Sequence, residues 1–194
     1  MDVRAGDGLL IVDVQRDFLP GGALPVPEGH AVLVPLNAWI ARFRAAQSPP
    51  RIYASRDWHP ADSRHFRPAG PWPPHCLQNT PGAAFAPSLQ LPPETVVISK
   101  GAARDEDGYS AFEGRDGEGA PLADRLRRDG IERLWIGGLA TDYCVRASAL
   151  AARQRGWPVV LLADAVRAVE ARPGDGARAL ADLQAAGVAI EARP

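Results

Sequence analysis

The sequence predicts an α/β fold of three layers, a mostly parallel sheet flanked by helices. Two observations carry the prediction. Short runs of wholly apolar or β-branched residues recur along the chain, of the kind buried on both faces of a parallel sheet. Between them lie stretches with apolar residues at helical spacing, several closed by Gly. Strands alternating with helices imply right-handed crossovers within one sheet. Residues 1–194 are read as a single domain, long enough to bury most of its apolar surface.

The elements follow in order. Leu9-Leu10-Ile11-Val12 is the first strand. After a Gly/Pro loop, Val32, Leu36, Trp39 or Ile40 and Phe43 recur at helical spacing, with Pro35 tolerable only in that helix's first turn. Ile52-Tyr53-Ala54 is a strand, and a long Pro-rich loop separates it from the β-branched run Thr95 to Ser99. Pro121 opens a short helix that Gly130 closes, the usual asymmetry of helix ends. Leu134-Trp135-Ile136 is a strand, and Thr141 to Arg155 a helix ended by Gly156. Val159 to Leu162 is a strand, Gly176 to Ala186 a helix closed by Gly187, and Val188-Ala189-Ile190 the last strand.

The long loop carries chemistry. Its prolines, from Pro68 through Pro93, exclude helix and strand, and a structureless loop of this length is expected to be functional or disordered. It holds three of the chain's four histidines, His59, His65 and His75, close behind Asp57. A carboxylate and imidazoles suit zinc, iron or manganese. Asp57 and His59 are two residues apart, so at the end of an extended segment both side chains leave one face.

A second pointer is a scarcity. The 22 basic residues comprise 21 arginines and one lysine, Lys100, at the end of the Thr95–Ser99 run. Such a bias mostly reflects coding composition. A confined site between charges nevertheless accepts a compact ammonium where it rejects a wide guanidinium. Parallel sheets bind ligands beyond the carboxyl ends of their strands. Asp13, Asp57 with His59, and Lys100 follow three successive strands, and Cys144 opens the helix after a fourth, so all are expected at one sheet edge.

Thr141 is read as the N-cap of that helix, which places Cys144 in its first turn, where free amides and the dipole favour a thiolate. Loop amides from Ala140 to Cys144 are positioned to face a developing oxyanion. Asp13 reads equally as a base for the thiol or as a strand-end residue. With Lys100 as orienting cation the three make a nucleophile, base and cation set.

Four blocks then match a known family: Leu10-Ile11-Val12-Asp13-Val14-Gln15-Arg16-Asp17-Phe18; Arg56-Asp57-Trp58-His59-Pro60; Gly70-Pro71-Trp72-Pro73-Pro74-His75-Cys76 with Gln78-Asn79-Thr80-Pro81-Gly82-Ala83; and Gly138-Leu139-Ala140-Thr141-Asp142-Tyr143-Cys144-Val145. Lys100-Gly101 and Tyr109-Ser110-Ala111-Phe112 fit as well. The chain resembles the nicotinamidases (pyrazinamidases) of the isochorismatase-like cysteine hydrolase superfamily, over nearly its whole length.

The resemblance implies a six-stranded sheet and hydrolysis of nicotinamide, with pyrazinamide as a further substrate, to the acid and ammonia, a reaction of pyridine-nucleotide salvage. Cys144 is then the nucleophile that forms a thioester, Asp13 the general base and Lys100 the third member. The amides of Ala140 and Cys144 make the oxyanion hole after a cis Leu139–Ala140 peptide. Phe18 and Trp72 flank the ring, with Leu139 and Tyr109 in the same pocket. One divalent transition metal (Zn, Fe or Mn) is held by Asp57, His59 and His75 and orients the ring. His65, where many relatives carry serine, is the candidate fourth ligand. Cys76 is read as packing and His30 as a surface residue.

The rest of the sequence bounds the partners. A formal net charge of −1 argues against nucleic acid and anionic membranes. No apolar run approaches the roughly 20 residues that span a bilayer. The N-terminus lacks the order of a signal peptide, and two cysteines make no disulfide framework. The expectation is a cytoplasmic protein with a small-molecule substrate, a monomer or a homo-oligomer. Three alternatives stay open: a related amidase or isochorismatase-like hydrolase with another small substrate, a hydrolase in which a metal activates water and Cys144 is a bystander, and a ligand-binding module.

Overall fold

The computed structural model describes residues 1–46 and 49–192. Six strands form one sheet: β1 (Asp7–Val12), β2 (Ile52–Asp57), β3 (Val96–Lys100), β4 (Arg133–Leu139), β5 (Val159–Arg167) and β6 (Ala189–Glu191). Their spatial order is β3-β2-β1-β4-β5-β6, and every pairing is parallel. The order reverses between β1 and β4, where such sheets open a crevice for ligands beyond their carboxyl ends.

The helices are α1 (Leu33–Ala46), α2 (Leu122–Arg128), α3 (Arg146–Gln154) and α4 (Asp175–Ala185). Period-2 alternation along the strands decides which face each residue fills. Leu9 and Ile11 of β1 pack with Leu36, Trp39, Ile40 and Phe43 of α1 in one core. Leu10 and Val12 enter a second core with Leu122 and Leu126 of α2, Ala149 and Ala152 of α3, and Leu183 of α4. The sheet therefore lies between α1 on one side and α2, α3 and α4 on the other. Pro35 falls in the first turn of α1, where its missing N–H removes no helical bond. Among the described residues no helix is long and apolar enough to cross a membrane.

Three expectations are corrected. Thr141 is not a cap: Ala140 holds that position without a side-chain cap bond, and Thr141–Val145 forms a π-helical turn before α3. β5 runs on to Arg167, past a bulge opposite Ile136 to Gly138; Asp164 interrupts its apolar run without ending the pairing. β4 likewise extends through Gly137-Gly138 to Leu139. Gly138, at φ +123°, faces Val12 so closely that a Cβ there would lie 2.1 Å from the Val12 carbonyl oxygen. Glycine thus permits the approach of β1 and β4 at the crevice.

The long loop after β2 contains a single 3-10 turn, Pro81–Ala83, and is held by local pairing. His59 donates its amide to the Cys76 carbonyl (3.1 Å), and Gln78 returns one to His59 (2.9 Å). This fold-back brings His75 beside His59.

Candidate active site

The carboxyl ends of β1, β2 and β3 deliver Asp13, Asp57 and Lys100 to one point, and the turn after β4 adds Cys144. The Lys100 ammonium is fully buried, 2.7 Å from Asp13 Oδ2, 2.7 Å from the Gly108 carbonyl and 3.4 Å from Cys144 Sγ. It also pairs with Asp57 Oδ1. Ser55 on β2 donates to the other oxygen of Asp13 at 2.7 Å. Asp13 sits at φ +50°, outside regular strand geometry. Gln15 ties the β2 end to the loop: its amide nitrogen donates to the carbonyls of Asp57 (2.8 Å) and Ala83 (2.9 Å), while its oxygen accepts the Asp57 amide (2.8 Å).

Burial and neighbouring charges shift each of these groups. Burial pushes the Asp13 carboxyl up, against the pull of Lys100. For Asp57 burial acts in the same sense, but Lys100 and the His59 and His75 rings outweigh it and hold that carboxyl well below its usual range. Burial alone would lower Lys100; Asp13 and Asp57 reverse this and keep it charged. The Cys144 thiol is pushed well up by burial, opposed by Lys100 and reinforced by the two carboxylates. Burial thus opposes the thiolate that the helix terminus favours, and the Cys144 thiol stands beside a carboxylate that desolvation also raises.

On the far side of Asp57 stand three buried imidazoles. His59, His65 and His75 each offer one ring nitrogen, and the three atoms lie within 4.8 Å of one another. Asp57 Oδ2 lies 3.8 Å from His59 Nε2 and 3.7 Å from His75 Nε2. Both nitrogens of His59 are buried without a hydrogen-bond partner among the described residues, and a bound ion would satisfy one of them. His75 Nδ1 meets the Pro73 carbonyl at 2.8 Å, and His65 Nδ1 meets Asp107 Oδ1 at 3.0 Å. Burial lowers the His65 imidazole, with Asp107 opposing it. Three imidazoles and a carboxylate oxygen are a donor set that fits a divalent transition metal.

A small cavity of about 40 Å³ joins the two clusters; Cys144, Ala140, Leu139, Asp57, His65 and His75 line it. Phe18, Trp72 and Tyr109 line it as well. Phe18 lies 5.4 Å from the His75 ring, and Trp72 donates its indole N–H to the Tyr109 hydroxyl at 3.0 Å. Trp72 meets Tyr143 edge-on, with centroids 5.0 Å apart. The Leu139–Ala140 peptide is cis. Cys76 is buried in the α1-side core, and His30 is exposed.

Every candidate catalytic, pocket and metal residue read from the sequence thus reaches this edge or its cavity. Sequence reasoning missed Ser55, Gly108, Tyr143 and Asp107, and gave Gln15 no role. Ser55 stands two residues before Asp57, on the same strand face, which was the available signal. Asp107 sits in an acidic run that reads as solvated surface.

The model of the isochorismatase domain family matches residues 7–192. The nicotinamidase of Escherichia coli is 38% identical over 200 residues, covering 94% of this chain and 92% of that protein. Among solved structures, the pyrazinamidase of Pyrococcus horikoshii in complex with zinc has a TM-score of 0.87 at 46% identity, over 96% of this chain and 99% of that one. PnC1 of L. infantum in complex with nicotinate has a TM-score of 0.84 at 37% identity, over 99% and 96% of the two chains.

Proposed function

The chain belongs to the isochorismatase family and is an amidase; from that premise we propose that it is a metal-dependent nicotinamidase, hydrolysing nicotinamide and pyrazinamide through a thioester on Cys144. The observation that carries the reading is that one cavity is lined by Cys144 and by His65 and His75 of the histidine cluster. A ring can be held at one end while its carboxamide meets the thiol at the other.

Asp13 takes the thiol proton as Sγ of Cys144 attacks the carboxamide carbon. Its raised basicity suits that transfer, and the Lys100 ammonium holds thiol and carboxylate together while negative charge passes between them. The amides of Ala140 and Cys144 receive the oxyanion. Asp13 returns the proton to the leaving nitrogen, so the C–N bond breaks and ammonia departs. A water then gives its proton to Asp13 and attacks the thioester. The C–S bond breaks, the acid leaves and the thiol regains its proton.

Phe18 and Trp72 flank the ring, and Tyr109 holds Trp72 in place through its hydroxyl. Asp57, His59, His75 and His65 would hold one divalent ion. When bound, the ion supplies a Lewis-acidic position for the pyridine nitrogen, which orients the ring.

The test is ammonia release from nicotinamide, pyrazinamide and a linear carboxamide, before and after chelation. The reading expects turnover of both ring amides, little of the linear one, and loss on chelation that added metal restores. Equal turnover of the linear amide, or full activity after the metal is stripped, would overturn the substrate or the metal assignment respectively.

A further inference from the structure

His65 owes its orientation to a residue outside the motifs that pointed to the site. Asp107 Oδ1 lies 3.0 Å from His65 Nδ1. A ring nitrogen that faces a carboxylate carries the proton, so the lone pair of His65 sits on Nε2, available to the cluster it forms with His59 and His75. His75 reaches the same state within its own loop, through Pro73. Asp107 instead comes from the segment after β3. Its neighbour Gly108 accepts from Lys100 at 2.7 Å, and Tyr109 accepts from Trp72 at 3.0 Å.

The same two segments are joined again nearby. The Arg64 amide donates to the Arg104 carbonyl at 2.8 Å, Arg64 pairs with Asp105 at 3.1 Å and Arg104 with Asp62 at 3.4 Å. These ion pairs are exposed, and such pairs contribute little stability. The Asp107 side chain is itself 68% exposed, whereas that of His65 is 4% exposed. The carboxylate is therefore dispensable to the core, and what it fixes is the buried ring.

We propose that Asp107 is a positioning residue that fixes His65 as the Nδ1–H tautomer and presents Nε2 to the divalent ion, tying that ligand to the segment that holds Lys100. Outer carboxylates of this kind set the tautomer and basicity of metal-bound imidazoles. The inference rests on the metal-dependent reading above.

The test uses the full chain, stripped with a chelator and titrated with zinc against a competing chelator. Asp107→Ala is expected to weaken zinc binding roughly 10- to 100-fold. Asp107→Asn, whose carbonyl oxygen still accepts from Nδ1, is expected to recover most of the loss. The double variant Asp107→Ala with His65→Ala should bind no worse than His65→Ala alone, because Asp107 acts on the ion only through His65. Long-range ¹H–¹⁵N spectra of the stripped protein should show His65 protonated on Nδ1 in wild type and Asp107→Asn, and as mixed tautomers in Asp107→Ala.

Wild-type zinc affinity in Asp107→Ala, an unchanged His65 tautomer, or losses that multiply in the double variant would each overturn the role of Asp107. If wild type binds zinc no better than His59→Ala, the metal reading fails and this inference fails with it. Weakened binding in His59→Ala beside normal binding in Asp107→Ala would overturn the role of Asp107 alone.

Discussion

Asp57 and Lys100 are register partners at the carboxyl ends of β2 and β3, and their side chains pair directly. That leaves Asp57 Oδ2 facing His59 and His75, so one carboxylate borders both the metal cluster and the Asp13–Lys100–Cys144 cluster. The two clusters thus share a wall one residue thick.

Lys100 therefore serves four neighbours from one buried point, and its replacement by arginine tests the geometry. A planar guanidinium cannot reach Asp13, Asp57, the Gly108 carbonyl and Cys144 from the volume of an ammonium. Lys100→Arg is expected to reduce kcat/KM on the order of 10³-fold or more while far-UV circular dichroism stays native. Near-normal turnover would show that the site accepts a wider cation.

Gly101 follows Lys100 at φ +63°, and a Cβ there would lie 2.4 Å from His59 Cε1. Gly101→Ala is expected to displace His59 and weaken metal retention at least about tenfold. Metal content after dialysis against a chelator measures this; wild-type retention would mean that His59 is not a ligand.

The raised Asp13 carboxyl and the raised Cys144 thiol set the pH profile. Asp13 must be ionised to act as base, so kcat/KM should fall on the acid side with a midpoint above the ordinary aspartate value of about 3.9. Because burial raises the Cys144 thiol well above its ordinary value, no rise is expected near pH 8.5, where an ordinary cysteine ionises. A rise with that midpoint would show that a free thiolate drives the reaction.

Away from the site, Asp129 accepts from the Tyr53 hydroxyl at 2.7 Å and from Arg125 at 2.9 Å. Burial alone would raise its carboxyl, but these two donors hold it below its usual value. A lowered folded pKa stabilises above the unfolded value of about 3.9 and is lost as pH falls through the folded one. Asp129→Asn should lose about 1–3 kcal/mol at neutral pH, as hydrogen bonds to charged groups do. The difference in urea midpoints should close below about pH 4; a gap that persists there would rule out the ionised carboxylate as its source.

The sheet was legible because its strands are short apolar runs: Leu9 to Val12 and Val159 to Leu162 could pack only between two layers of helix. The extension of β5 past Asp164 was not, because its pairing depends on a bulge and not on hydropathy. Asp13, Lys100, Cys144 and the loop histidines could be gathered on one edge because each follows a strand. Their protonation could not, because the desolvation that raises the Cys144 thiol comes from neighbours distant in sequence. Ser55, Gly108 and Asp107 escaped for a related reason: a hydrogen bond across the fold leaves no local pattern.

The measurement that tests the central claim most directly is ammonia release from nicotinamide by metal-loaded wild type and metal-loaded Cys144→Ala, side by side. The account predicts steady turnover by wild type and none above background by the variant. Turnover by Cys144→Ala at most of the wild-type rate would contradict it, since the bond-breaking step would then not pass through the thiol.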